Sequence, residues 1–297
     1  MFFGVGLLLL TISHWFPLNI NLLELLGAFA HFTFALSLLF VVVSLILKAR
    51  TLLVASVVSA LIVGSLVVPH FLSSDFQGKA DFTVGQFNVY HNNPSPNEAI
   101  DAIKASGADV FSIQELNSDW KEMVDAVFSE SHPFKAEEHW DNCCYGLGFY
   151  SRFPIISIER MYFESLPYFD VKLVIDKDTV RVVCFHTQAP AFPNKTPERD
   201  ALMTLVAKAI DSSATAIVFG DMNIVLWDRK FKQFLEIGQL KSVRSGLQRT
   251  YPMDLGIPLI PIDHITYKGQ LHPSSCRSVE LPGSDHIGMI VGFALKE

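Results

Sequence analysis

Residues 216–223 read AIVFGDMN: a short apolar run, a glycine, then an acid and an amide on either side of a methionine. The β-branched and aromatic content of Ala216–Phe219 is that of a buried strand, too short for a helix and closed by glycine. The strand ends at Gly220 and hands Asp221 and Asn223 to the loop beyond it. Rigid strand ends are where a scaffold presents side chains for chemistry. One Gly-Asp step is an ordinary turn. What decides the fold is that the arrangement recurs.

It recurs in both directions. Upstream, Phe82–Val89 carries Asn88, Asp109–Ile113 delivers Gln114 and Glu115, and VRVVCFH (180–186) closes on His186. Downstream, Asp263 opens IDHITY (262–267), and Asp285-His286 immediately precede the strand-like Ile287–Phe293. Gly146–Tyr150, Ile155–Tyr162 and Val171–Ile175 supply further strands. Ser95-Pro96-Asn97-Glu98 reads as a helix start: Ser95 as N-cap, Pro96 as first helical residue, Glu98 as the return half of a capping box. Gly107 suits its stop, and Thr196–Ile210 and Asp228–Ile237 have helical spacing. Many strands, several helices and no internal repeat predict an α/β layered domain with a substantial sheet core.

Carboxylates, amides and histidines gathered at strand ends suit a hard cation, because Mg²⁺ prefers oxygen ligands and keeps several waters. Histidine at the same rim can bind a phosphate oxygen or move a proton near neutral pH. A phosphodiester is anionic and repels hydroxide, so a cation that neutralises developing charge and a carboxylate that activates water form a coherent set.

The ordered series QFNV (86–89), IQEL (113–116), FHT (185–187), GDMN (220–223), IDHI (262–265) and SDH (284–286) resembles the endonuclease/exonuclease/phosphatase superfamily. Its members include deoxyribonuclease I, exonuclease III-type enzymes and neutral sphingomyelinases. The resemblance spans residues 81–297, GDMN together with the terminal SDH is its most specific part, and Thr250-Tyr251-Pro252 ahead of IDHI also fits. It implies a four-layered α/β sandwich, two packed β-sheets flanked by helices, with one metal-dependent site. By that resemblance Glu115 is the main Mg²⁺ ligand, with Asn88 beside it and Asp285 as a further metal or site carboxylate. Mn²⁺ is a possible substitute. Asp221 deprotonates the attacking water, and Asn223 holds that water or a phosphate oxygen. His286 stabilises the phosphoryl group, Asp263 orients His286, and His186 assists the leaving oxygen.

The chain ahead of this domain is of another kind. Residues 1–74 contain one acid, Glu24, and two bases, Lys48 and Arg50. Removing these from totals of 30 acids and 23 bases leaves 29 and 21, so residues 75–297 carry a net charge of −8. Leu25–Leu47 and Thr51–Pro69 are uncharged runs, each near the ~20 residues that cross a bilayer. Met1–Ile12 is a shorter apolar run without a basic leader or a small-residue cleavage site, and reads as a weaker third span. The expected organisation is a membrane anchor of two to three transmembrane helices over 1–70, a linker at 71–80 and a catalytic domain over 81–297. Lys48 and Arg50 lie between the two stronger spans, which the positive-inside tendency puts in the cytoplasm. The domain is then extracytoplasmic, on a bacterial inner or plasma membrane.

The four cysteines, Cys143, Cys144, Cys184 and Cys276, lack paired metal-binding spacing. An oxidising compartment would permit a bridge from the Cys143–Cys144 step to Cys276, whereas Cys184 suits an apolar strand.

The partner is a phosphoester, either a lipid head group or nucleic acid. A net charge of −8 disfavours tight non-specific duplex binding, and a short tether concentrates lipid head groups near the site. An extracytoplasmic nuclease and a non-catalytic binding module are the competing readings. A transporter is excluded by the shortage of polar groups in the spans, where His31 is the only candidate.

Overall fold

The computed structural model describes Gly6, Thr11 and residues 21–72, 76–190, 195–244, 246–254 and 256–295. Apart from Gly6 and Thr11, the expected weaker span over Met1–Ile12 lies outside them. Three helices follow: α1 (Asn21–Ala28), α2 (Ala30–Ile46) and α3 (Arg50–Val67), the last prolonged by a 3₁₀ turn through Phe71. Arg50–Phe71, 22 residues, is the one helix among the described residues long and apolar enough to cross a membrane. The expected span over Leu25–Leu47 is instead divided at Phe29, where the carbonyl of Gly27 accepts a hydrogen bond from Trp227 Nε1 at 2.8 Å.

The α2–α3 pair is packed inside out. Thr33, Ser37, Ser44, Ser56 and Ser59 are buried between or beside the helices, with Ser37 Oγ 2.8 Å from Ser59 Oγ. At Gly64 the helices approach so closely that a Cβ would sit 2.8 Å from the Phe34 ring. Most leucines and valines point outward, while Val63 and Val67 are buried with Ala30. Of the 23 exposed large hydrophobic side chains among the described residues, 17 fall within 25–72, so the apolar surface is concentrated on this segment.

Each sheet of the domain is built around one parallel pair, which needs a crossover helix. In the first, β1 (Phe82–Asn88) runs parallel to β2 (Val110–Gln114) through α4 (Pro96–Ser106). After α5 (Ser118–Phe128) come β3 (Phe134–Glu138) and β4 (Leu147–Ser151), which extend that sheet on one side. The second sheet begins with the antiparallel β5 (Ile155–Phe163) and β6 (Leu166–Ile175). Its parallel pair is β7 (Asp178–Phe185) and β8 (Ala216–Asp221), joined through α6 (Lys195–Asp211). After α7 (Arg229–Gly238) it closes with β9 (Lys241–Ser242) and β10 (Asp263–Lys268), antiparallel to β8. Finally β11 (Leu271–Glu280) and β12 (Ile287–Leu295) return to the first sheet, giving orders β11-β12-β1-β2-β4-β3 and β5-β6-β7-β8-β10-β9.

The two sheets face each other across Phe82, Val84, Phe149, Phe169, Phe219 and Val291, all essentially inaccessible. The α4 and α5 helices cover the outside of the first sheet, and α6 and α7 cover the second. Burying each such side chain is worth roughly 1.5–3 kcal/mol, so three apolar seams hold four layers. This is the expected sandwich.

Local details differ from the sequence reading. Ser95 occupies the N-cap of α4 and Pro96 its first turn, but no capping box forms: Ser95 makes no side-chain cap, and Asn93 Oδ1 accepts from the Ser95 N–H at 2.7 Å. Gly107 ends α4 in the left-handed conformation, as its position suggests. No disulfide joins the described residues; Cys276 Sγ donates to Gln248 Oε1 at 3.0 Å, and Cys184 lies in the core.

Candidate active site at the sheet rim

Strand direction explains why one rim collects the polar residues. The parallel strands β1, β2, β7 and β8 end there, delivering Asn88, Glu115, His186 and Asp221. Strands β10 and β12 run the other way, so they begin there, with Asp263 and the preceding Asp285-His286. All eight expected residues meet at this rim, across the seam between the sheets.

Asp263 is inaccessible; its Oδ2 lies 2.9 Å from His286 Nδ1, and its Oδ1 accepts from Gln86 Nε2 at 2.7 Å. His286 Nε2 then faces Asp221 Oδ2 at 3.6 Å. His186 Nε2 approaches the same Asp221 oxygen at 3.4 Å. Asn88 Nδ2 donates to Asp221 Oδ2 at 3.1 Å and to Glu115 Oε1 at 3.2 Å, and so links two carboxylates from different sheets. Its Oδ1 accepts from the Tyr90 N–H at 3.1 Å, so the amide presents N–H, not oxygen, to the acids. Asn223 folds back: its N–H donates to Asp221 Oδ1 at 3.0 Å, and its side chain donates to the Thr187 carbonyl at 2.9 Å. Glu115 and Asn223 both adopt positive φ, +65° and +46°, a conformation that costs a non-glycine residue energy and persists only where the surroundings enforce it.

Charge sets the protonation states. Burial alone would lower the His286 pKa, but the Asp263 and Asp221 carboxylates carry it up to about 10. Burial would raise Asp263, yet the His286 charge and hydrogen bond hold it below its ordinary value. His186 is likewise raised: its burial is outweighed by the hydrogen bond and charge of Asp221. For Glu115, burial pushes up, but the His186 charge and the His91 N–H and ring bring it below the usual carboxylate range. Asp285 goes the other way, to about 6, raised by burial and by the charge of Glu115 against the opposing pull of His286.

Sequence reasoning missed several supports. His91 Nδ1 and its backbone N–H each lie 3.0 Å from Glu115 Oε2. Gln86 holds Asp263 and is itself 2.8 Å from Gln114 Oε1. The Tyr251 ring lies 4.7 Å from the His286 ring. The only trace of Gln86 and Gln114 in the sequence is a glutamine in each apolar strand, which reads equally as a solvent-facing residue.

The donor set fits a hard divalent cation. Glu115, Asp221 and Asp285 bring oxygen to one rim, and Asp285 Oδ1 is buried without a partner. Among the described residues, ligand atoms of Asp221, Asp263 and His286 lie within 4.8 Å of one another. There, however, Asp263 and His286 already engage each other, which leaves the carboxylates nearer Glu115 for an ion.

A rim of carboxylates, amides and histidines on a two-sheet sandwich suits a class of phosphoester hydrolase. Residues 85–286 match the Endonuclease/Exonuclease/phosphatase family, and the chain belongs to it. It is thus a metal-dependent enzyme acting on phosphoester bonds. No curated protein matches the sequence. Among solved structures, the chain resembles zebrafish TDP2 complexed with single-strand DNA product, at 16% identity and TM-score 0.61 over 72% of this chain and 98% of that one. It resembles sphingomyelinase C from Streptomyces griseocarneus at 15% identity and TM-score 0.54, over 71% and 98%. ANGEL2, a 2′,3′-cyclic phosphatase, is similar at 16% identity and TM-score 0.59, over 75% and 98%. At these identities the likeness is one of fold.

Behind the rim, His264 is fully buried; its Nε2 donates to the Ile224 carbonyl at 2.7 Å, and its Nδ1 lies 3.1 Å from Arg244 Nη2. Burial, then the Arg244 charge, hold its pKa well below 6.5. As pH falls through 6.5 the unfolded chain takes up a proton there that the folded chain refuses. The stability from a neutral His264 is therefore present above that pH and lost below it, by up to about 1.4 kcal/mol per pH unit. Thermal unfolding of the full chain in detergent from neutral to mildly acidic pH should show this slope, and His264→Gln should reduce it by one proton. An unchanged slope in the variant would place the acid sensitivity elsewhere.

Proposed function

We propose that this chain is a membrane-anchored, Mg²⁺-dependent phosphodiesterase that acts on lipid head groups from the extracytoplasmic face. The observation that carries the chemistry is the line Asp263–His286–Asp221–Asn88–Glu115, with its 2.9 Å hydrogen bond at one end and its amide link at the other. Asp221, approached by the His286 imidazolium and the His186 ring, accepts the proton of the attacking water, which Asn223 helps hold. His286, fixed by Asp263, stabilises charge on the phosphoryl oxygens. His186, 3.4 Å from the same Asp221 oxygen, is suited to the leaving oxygen. Glu115 and Asp285 would hold Mg²⁺, or Mn²⁺ in its place, with Asn88 joining once its amide turns over. The ion supplies charge neutralisation at the phosphate.

The inside-out helix pair supports the anchor, since small and polar contacts between helices with an apolar exterior are what a bilayer favours. Lipid is favoured as substrate by position: a cavity of about 180 Å³ has walls from Asn223 and Tyr251 on one side and Leu25, Ala28 and Phe29 on the other. The reaction site thus adjoins the apolar helices.

The test offers the purified full chain bis-p-nitrophenyl phosphate, plasmid DNA and phospholipid vesicles, with Mg²⁺ or with EDTA, beside Asp221→Ala. Expected are hydrolysis of phospholipid and of the small diester with Mg²⁺, and loss of both in EDTA and in the variant. Preferential cutting of DNA would favour the nuclease reading. A folded protein that cuts nothing with Mg²⁺ or Mn²⁺ would favour a binding module.

A further inference from the structure

A second cavity, of about 720 Å³, lies between the end of α3 and the outer face of α7. It contains none of the catalytic residues. Its floor is apolar, with Leu66 and Leu72 from the helix end and Trp227 and Leu235 from the domain. Its polar wall carries Arg229, Lys232 and Arg244. In a domain of net charge −8, three cations around one cavity need an explanation.

Two of its polar groups lack partners. Arg244 is 6% exposed; it donates to the Gln248 and Asp263 carbonyls and approaches His264, yet its Nε has no partner. Ser242 Oγ, in the same wall, is also unpartnered. The one acid on the lining, Asp228, caps α7, its Oδ1 accepting from the Lys230 N–H at 2.7 Å. The charge of the lining is cationic, exposed at Arg229 and at Lys232, whose Nζ lies 3.8 Å from the exposed Glu236 Oε1, and desolvated at Arg244.

Depth gives the occupant. Arg50–Phe71 is 22 residues, about 33 Å at 1.5 Å per helical residue, against a hydrocarbon core of about 30 Å. With Lys48 and Arg50 at one head-group layer, the cavity beside Leu66 and Leu72 lies at the other. We infer that this cavity is a docking site for an anionic phospholipid of the adjoining leaflet, its phosphate against Arg229, Lys232 and Arg244 and its glycerol and upper chains on the apolar floor. The inference rests on the membrane-anchored reading and is independent of the catalytic one.

Trp227 lines the cavity and serves as the reporter. The full chain is reconstituted into phosphatidylcholine vesicles in which a minor share of lipid is brominated phosphatidylglycerol or, separately, brominated phosphatidylcholine. The difference in quenching between the wild type and Trp227→Phe isolates this residue. Brominated phosphatidylglycerol should quench it more strongly, with the preference falling roughly fivefold for each of Arg229→Gln and Lys232→Gln, and falling again at high salt. Equal quenching by both lipids, or a preference for phosphatidylcholine, overturns the anionic site while leaving the anchor intact. No quenching by either lipid removes the anchor reading, and this site with it.

Discussion

Replacing His286 by alanine is expected to lower kcat for phosphoester hydrolysis by three orders of magnitude or more, because it removes a fixed imidazolium aimed at the site's centre. General acid–base or charge-stabilising groups of this kind contribute roughly 10²–10⁴-fold. The His286 imidazole is 4% exposed, held at Nδ1 by Asp263 and raised to a pKa of about 10, so it is an imidazolium at neutral pH. In that state it cannot take a proton from water. Its contribution is positive charge, which leaves Asp221 as the base. The substitution has a second cost: Asp263, inaccessible and ionised, keeps Gln86 but loses its counter-charge. Breaking a buried pair from one side typically costs about 3–5 kcal/mol. Thermal unfolding must therefore accompany the kinetics. His286→Gln, which fills more of the space, and Asp263→Asn, which removes the charge while keeping the shape, separate lost chemistry from lost fold. If His286→Ala stays folded and retains more than about a tenth of wild-type kcat, the imidazolium is not the charge-stabilising group.

How much of this was readable beforehand depended on where a residue sits relative to a strand end. The catalytic candidates were visible because the strands that end at the rim change abruptly from apolar to polar, as at Phe219-Gly220-Asp221. Residues that support them from within strands were not. Gln86 lies mid-strand with no exposure, and a lone polar residue there looks like the solvent face of an alternating strand. His91 reaches Glu115 from a loop, a contact that depends on the αL turn at Glu115. The strands that escaped reading are short or lie at sheet edges. β3 is half exposed with three charged residues in five, and β11 contains Pro273 and an adjacent register shift. α5 was missed despite a stripe of Trp120, Val124 and Phe128 at helical spacing, capped by Asn117, whose side chain accepts from the Trp120 N–H. The division of the first apolar run at Phe29 had no local cause to read. There is no proline at the break; a tryptophan 200 positions away takes the Gly27 carbonyl.

The glycine of the GDMN turn gives the second large expected effect, on stability and activity together. Gly220 has φ +144°, a region L side chains rarely adopt, and a Cβ there would lie 2.0 Å from the Phe185 carbonyl oxygen. That oxygen belongs to the backbone at the end of β7, so no side-chain rotation relieves the clash. To admit alanine, the end of β8 must move off β7, against the bond from the Thr187 N–H to the Asp221 carbonyl at 3.1 Å. Overpacking against a well-ordered core costs about 1–3 kcal/mol, and a disfavoured left-handed backbone about 1–2 more, so Gly220→Ala should destabilise by roughly 2–5 kcal/mol. It should also lower activity by about 10²-fold, since a displacement near 1 Å at Asp221 spoils its 3.4 Å approach to His186. Gly107 supplies the control. It has φ +70° with open space where a Cβ would point, so Gly107→Ala carries the backbone cost alone, about 1 kcal/mol. If the two variants unfold at the same temperature, the close approach of β8 to β7 is not what demands glycine. If Gly220→Ala unfolds much earlier and loses activity while Gly107→Ala does neither, then the turn that delivers Asp221 exists only because residue 220 has no side chain.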